Sequence, residues 1–358
     1  MRISFIPFYT SQLDNYLFKK DNNIRDNILE PYIKLKELFE SNNYEINTVD
    51  ITTIQEADFI IFFDLNFKYI LKAYLENKLH KSIYIPFEPP VVYELHKPEN
   101  LRWISKLFGS VLTWQDDLVD NKKFFKFYFP MPSQSFKYEK IDFKDKKYIT
   151  TIVGYKKSNR PNELYSKRIE AIKYFENKYD DFKFFGAGWN KSEFKSYSGK
   201  IDSKYNILKN YKFTLCYENE CNIAGLISEK IFDCFYARSI PIFWGASNPE
   251  NYFPKDTYID KRDFKTYHEL DTYLSNMSED DYNQRIEAIE KYLVSEEFKK
   301  FSSGSFAKKI YDISQNQNEA ELNDFFIIYL KLIFTTNYIR VSKLFERVVK
   351  LIREKFSS

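Results

Sequence analysis

The sequence predicts an α/β protein made of two doubly wound domains that face a cleft, with helices at the carboxyl end. Three observations lead there. The chain has 358 residues, more than one hydrophobic core usually supports, so two domains of ordinary size are expected. Short apolar runs alternate with stretches of helical period, the pattern of stacked α/β layers. No solenoid repeat, heptad array or Pro/Gly-rich linker breaks the alternation, and 8 Gly against 35 Phe and 29 Tyr favours packed domains over disorder.

Taken in order, the first half gives a strand at ISFIPF, a helix over Ile28–Ser41, a buried strand at DFIIFFD, a helix over Tyr69–Leu79 and strands at SIYIPF, GSVLTW and FKFYFP. The polar, strand-poor segment PMPSQSFKYEKIDFKDKK follows, so one domain is expected over residues 1–145. A second, over 146–315, opens with strand YITTIVG and loop YKKSNRPNE. It continues through helix LYSKRIEAIKYFENK, strand FKFFG, a helix over Lys204–Lys209, strand FTLCYE, helix SEKIFDCFYA and strands SIPIFWG and TYID. After Phe264 the period is helical. A tail over 316–358 closes the chain, and its last stretch, YIRVSKLFERVVKLIREKFSS, puts Ile339, Leu344, Val348, Leu351 and Ile352 on one face with six basic residues against two acidic. Such a helix either docks on the core or lies on an anionic membrane surface.

Composition excludes several classes. A net charge of +3 from 54 basic and 51 acidic residues gives no global field for nucleic acid. Cys216, Cys221 and Cys234 lack paired spacing, which speaks against a disulfide framework or structural zinc and fits a reducing compartment. The start, MRISFIPFYT, reads as a strand and not a signal peptide, and the longest apolar run, Phe325–Phe334, is short for a bilayer and interrupted by Lys331. A cytoplasmic protein, peripheral on the inner membrane surface through its tail, is the expectation. There is no Asp-x-Asp, no phosphate-binding GxxxxGK[ST], and Gly186-Ala-Gly188 lacks the third glycine of a dinucleotide fingerprint. No metal or other obligatory cofactor is expected.

The informative stretch runs from Tyr211 to Gly245, where a strand ends in a polar loop and a helix opens at Ser228-Glu229-Lys230. Ser228 suits an N-cap, the helix N-terminus favours phosphate, and Lys230 adds an ammonium one turn in. Taken alone, these three residues also describe an ordinary capped surface helix. The whole stretch, with Cys216, Glu218, Asn219, Ser228, Glu229, Lys230, Asp233, Pro241, Trp244 and Gly245, resembles the nucleotide-sugar motif of glycosyltransferase family 10, the α-1,3/4-fucosyltransferases, and specifically its bacterial type.

That resemblance implies a GT-B type fold of two Rossmann-like domains, with the acceptor held by the first and the GDP-sugar by the second. It implies an inverting transfer of L-fucose from GDP-fucose to a hydroxyl of an oligosaccharide or glycolipid acceptor, O3 of GlcNAc or glucose. Lys230 would contact the pyrophosphate, Glu229 the ribose diol and Asn219 the nucleotide, with Ser228 at the helix start. Arg168, in SKRIEAI, resembles the second pyrophosphate cation, with Lys156 and Lys157 as substitutes. Glu88, in IYIPFEPP, matches the loop whose glutamate is the general base, and Glu94 is the alternative; His80, His96 and His268 read as structural or exposed. The chain departs from the family in the loop Glu220–Ile227, which has one extra residue, and in Leu226, where an aromatic is usual. Two other readings stay open: another nucleotide-linked sugar on the same fold, and a non-catalytic two-domain carbohydrate-binding protein.

Overall fold

The computed structural model describes residues 1–20, 27–133, 138–316 and 324–356, with side chains as far as Ser342. Among the described residues, eleven strands form two sheets. The first comprises β1 (Arg2–Ile6), β2 (Glu45–Thr48), β3 (Phe59–Phe63), β4 (Ser82–Ile85), β5 (Ser110–Thr113) and β6 (Phe124–Lys126), in the order β2-β1-β3-β4-β5-β6. The second comprises β7 (Lys147–Ile152), β8 (Lys183–Phe185), β9 (Tyr211–Tyr217), β10 (Ile240–Trp244) and β11 (Ile259–Asp260), in the order β11-β10-β9-β7-β8. All pairings between these strands are parallel. Helices cover both faces of such sheets, so a central strand reads as an uninterrupted apolar run; β3, FIIFF, is buried at every position.

The helices are α1 (Glu30–Ser41), α2 (Phe67–Leu75), α3 (Pro98–Ile104), α4 (Tyr165–Lys178), α5 (Lys204–Leu208), α6 (Glu229–Ala237), α7 (Tyr267–Ser275), α8 (Glu279–Leu293), α9 (Glu296–Lys299), α10 (Ser303–Gln315) and α11 (Phe325–Phe356). Two differences from the sequence reading have physical causes. Helix α2 begins and ends earlier than Tyr69–Leu79, because the Asn66 side chain accepts from Tyr69 N and Asn77, at φ 52°, leaves the helical region. Strand β2, EINT, was not expected: one strongly apolar residue in four gives no alternation, and its existence depends on its register with β1.

The last two helices return to the first sheet. Tyr311 of α10 packs edge-on against Phe39 of α1, and Tyr44 donates to Gln315 at 3.0 Å. Phe325 of α11 stacks on Tyr74 of α2 with ring centroids 3.6 Å apart, and Leu332 is fully buried. The opposite side of α11 exposes Phe326, Ile327, Leu330, Phe334, Tyr338 and Val341. The expected amphipathic tail falls mainly beyond this: Leu344, Val348, Leu351 and Ile352 lie outside the described side chains. Among the described residues, no helix is long and apolar enough to cross a membrane.

The two halves meet through close backbone contact. Asp116 of the first accepts from Asn248 at 2.8 Å and from Tyr252 at 2.7 Å, both in the second. Beside this cluster Gly225 has φ +84°, and a Cβ there would stand 2.2 Å from the carbonyl oxygen of Trp114. Gly199 has a similar φ of +92° with nothing near its missing Cβ, so the two glycines separate backbone strain from close approach. Both Gly→Ala variants should lose stability to chemical denaturation, with Gly225→Ala losing about 1–3 kcal/mol more than Gly199→Ala; equal losses would show that the interface yields around the added methyl.

Candidate functional site

Strand β7 lies between β8 and β9, although the chain visits β8 first and then crosses over to β9. At such a switch point the loops leave neighbouring strands toward opposite faces and open a crevice beyond the carboxyl ends. A cavity of about 400 Å3 occupies this place. Its walls are Ile152 to Gly154 after β7, Gly186 and Ala187 after β8, and Cys216, Tyr217 and Asn219 at the end of β9. Lys156, Arg168, Lys200, Lys204 and Lys230 line it, against Glu229 and Asp233. A larger surface groove of about 910 Å3 between α7 and α8 shares none of these residues, and Arg285 is its single Lys or Arg among the described residues. Converging cations mark the smaller cavity as the candidate site.

The centre of this wall is a buried carboxylate. Glu218, 1% exposed, accepts from Ser228 N at 3.0 Å, Ser228 Oγ at 2.7 Å and Lys230 Nζ at 2.8 Å. Ser228 does occupy the N-cap position of α6, with extended backbone, yet its hydroxyl makes no cap bond. The expectation of a side-chain cap is corrected here, because a buried anion is the stronger acceptor. Burial would lower the Lys230 ammonium, but Glu218 and Glu229 outweigh it and raise its pKa. Burial would likewise raise the exposed-edge carboxyl of Glu229; Lys230 and Lys204 hold it down to about 2.

Arg168 stands in the first turn of α4 and is buried, with Nη2 donating to Tyr217 O at 2.7 Å and to Asn219 Oδ1 at 3.0 Å. Its Nε–H has no hydrogen-bond partner among the described residues. Burial pushes the guanidinium down from its ordinary value while Glu218 draws it up. A buried cation with an unanswered donor beside a cavity is a place for an anion. Lys156 also lines the cavity, whereas Lys157 lies over the ring of Tyr155.

Four of the expected donor residues, Arg168, Asn219, Glu229 and Lys230, therefore share one cavity; Ser228 stands behind its wall. Lys204, not singled out from the sequence, completes it, paired to Asp233 at 2.6 Å. The only local signal for it was the Ser203 cap at the start of a five-residue helix.

Glu88 comes from the other half, just past β4. Its peptide is clamped: Trp114 Nε1 donates to Phe87 O at 3.0 Å, and His96 Nδ1 donates to Glu88 O at 2.6 Å. His96, fully buried, also has Nε2 at 3.1 Å from Asp64 Oδ1 and 2.9 Å from the Tyr84 hydroxyl. Burial raises the Glu88 carboxyl, opposed by Lys156 and Lys230 across the cleft, so this carboxyl faces the cavity's cations. Glu94 has a different place. It forms ion pairs with Lys97 and Arg160, which overcome its burial and hold its carboxyl below the usual range, a poor state for taking a proton. His268 is exposed and lies in the groove by α7.

Comparison with known proteins agrees with this geometry. The family model described as glycosyltransferase family 10 (fucosyltransferase), C-terminal part, matches residues 143–322. The α-(1,3)-fucosyltransferase FucT of Helicobacter pylori is 34% identical over 74 residues, 21% of this chain and 15% of that protein. An α-(1,4)-fucosyltransferase of Arabidopsis thaliana is 32% identical over 79 residues, 22% of this chain and 20% of its own. The matches thus span a fifth or less of these relatives. Among solved structures, an α1,3-fucosyltransferase with GDP-fucose superposes with TM-score 0.56 at 15% identity, covering 90% of this chain and 92% of its own. Anabaena HepE in complex with UDP gives 0.53 at 10% identity, covering 87% and 99%. These likenesses show the two-sheet GT-B fold, and the family match spans the half that carries the cavity: the chain belongs to glycosyltransferase family 10, the fucosyltransferase family.

Proposed function

We propose that the protein transfers L-fucose from GDP-fucose, with inversion, to a hydroxyl of an oligosaccharide or glycolipid acceptor, O3 of GlcNAc or glucose. The observation that carries this reading is the cation-lined cavity at the switch point of the second sheet, with Arg168 buried and its Nε–H unanswered. In it, Lys230 and Arg168 hold the diphosphate, with Lys156 at the mouth. Glu229, ionised and partly open, accepts from the ribose diol, since a carboxylate has acceptors for two hydroxyls. Asn219 lines the nucleotide pocket and Ser228 sets the start of α6.

Chemistry follows from which halves face each other. The acceptor oxygen gives its proton to Glu88 and attacks the anomeric carbon from the face opposite GDP; the C–O bond to the diphosphate breaks, and Lys230 and Arg168 receive the charge that develops on the leaving group. No covalent intermediate forms, and the reading calls on no metal ion. By this reading the first 145 residues recognise the acceptor, residues 146–315 the donor, and the tail from 316 lies on an anionic membrane at the cytoplasmic face, where cell-surface glycan precursors are built.

Four outcomes test this. Isothermal titration should show GDP binding in preference to UDP, and Lys230→Ala should weaken GDP by about 2–3 kcal/mol through loss of a charge-assisted contact; indifference to Lys230 or to the base would remove the donor assignment. Glu88→Gln should lower turnover of GDP-fucose by about 10²-fold or more with GDP affinity unchanged. Because burial raises Glu88 and the base must be ionised, the wild-type rate should fall as pH drops through a value above the ordinary glutamate pKa of about 4.3, and a limb at or below that value argues for another base. Deleting residues from Tyr338 onward should abolish binding to vesicles containing phosphatidylglycerol; unchanged binding sinks the membrane role.

A further inference from the structure

The residue after the motif asparagine has no place in the chemistry above, yet its burial is unusual. Glu220 belongs to a loop and is only 7% exposed. Its Oε2 accepts from the backbone N–H of Val91 at 2.8 Å, three residues beyond Glu88 and in the opposite half of the molecule. Burial pushes this carboxyl up, with the Val91 amide, Arg160 and Lys97 drawing it back. Burying a carboxylate against one neutral N–H is a poor exchange for stability, so the contact is better explained by what it holds.

A second bridge crosses the same gap: Arg160 of the donor half pairs with Glu94, at the far end of the Glu88 loop. The two bridges spring from one piece of backbone. Glu163 and Glu220 form an antiparallel bridge, Leu164 N donates to Asn219 O at 3.1 Å and Cys221 N to Asn162 O at 2.9 Å. This ribbon runs directly into α4 and Arg168, which grips Asn219. The loop carrying Glu88 is thus fastened on its own side by His96 and Trp114, and on the other side by a ribbon continuous with the diphosphate cavity.

We propose that Glu220, supported by Arg160, is a positioning residue for the reaction: it holds the Glu88 loop from the donor-binding half, so that the base is registered against the bound nucleotide sugar and not merely against its own domain. The inference rests on Glu88 being the base.

The test uses the full chain, GDP-fucose as donor and N-acetyllactosamine as acceptor, with hydrolysis of GDP-fucose to fucose and GDP as a second assay. Glu220→Ala should lower kcat by about 10- to 100-fold, the scale of a misplaced reacting group, with GDP affinity unchanged. Water admitted to the loosened loop should also move the acid limb of the rate profile to lower pH, since burial is what raises Glu88 while Lys156, Lys230, His96 and Asp64 around it are untouched. Glu220→Gln keeps an acceptor for Val91 N–H and should restore kcat and the limb. Arg160→Met, which leaves Glu220 in place, should move the limb the same way and keeps the inference testable if Glu220→Ala folds poorly. A wild-type limb and kcat in both Glu220→Ala and Arg160→Met overturn the inference, as does a Gln variant as impaired as Ala. Full activity in Glu88→Gln instead removes the base assignment itself, a failure that is seen without either bridge being altered.

Discussion

The buried carboxylate of Glu218 is the constraint on which the second half of the chain depends. An ionised group taken out of water costs several kcal/mol unless donors surround it, and every segment of the family motif supplies something to it. Ser228 gives its amide and hydroxyl, Lys230 its ammonium. Trp244 O accepts from Glu218 N at 2.8 Å, and Gly245 leaves the room its neighbour needs, since a Cβ there would stand 2.6 Å from Glu218 Cγ. The strand-ending CxEN, the SEK helix start and the WG strand end are separate in sequence because they come from three elements. They are one unit in space because one carboxylate requires them all.

This arrangement also decides what Lys230 can do. Anchored at 2.8 Å to Glu218, its ammonium is fixed in direction and stays charged, but half of its field is already answered. The remaining pull on an anion comes from Arg168, whose buried guanidinium donates to Tyr217 O and Asn219 Oδ1, and from Lys156 and Lys200, which also line the cavity. Five cationic side chains against two acidic ones line the cavity, with Glu218 behind, a balance that suits a ligand carrying two or three negative charges better than one carrying a single charge.

Much of the fold was legible because parallel sheets write themselves as apolar runs. FIIFF, SIYI and TLCY announced β3, β4 and β9, and the helical period gave α1, α4, α6 and α8. What was illegible depended on contacts across the chain. EINT becomes β2 only by pairing with β1. Among the candidate residues, the resemblance led to Arg168, Asn219, Glu229 and Lys230, which do converge, and Ser228 stands at the N-cap as read, but a local pattern cannot reveal that a buried anion ten residues earlier takes its hydroxyl. Lys204, and Glu94 as the ion-pair partner of Arg160, were hidden for the same reason: each owes its state to a charge remote in sequence.

The division of the site between two halves has an electrostatic consequence on the proposed reading. Lys156 and Lys230, the first two of the groups that pull the Glu88 carboxyl down, are the ones a bound diphosphate would engage. Each phosphate charge placed on them weakens their hold on Glu88 while burial, which raises it, persists or deepens as water leaves the cleft. The carboxylate is then a stronger base with donor present than without. The open cleft leaves Glu88 less basic than the occupied one, where the bound diphosphate raises its proton affinity as the acceptor hydroxyl arrives. Placing the base on one half and the cations on the other thus ties proton transfer to donor binding through charge alone, with no movement of the backbone required.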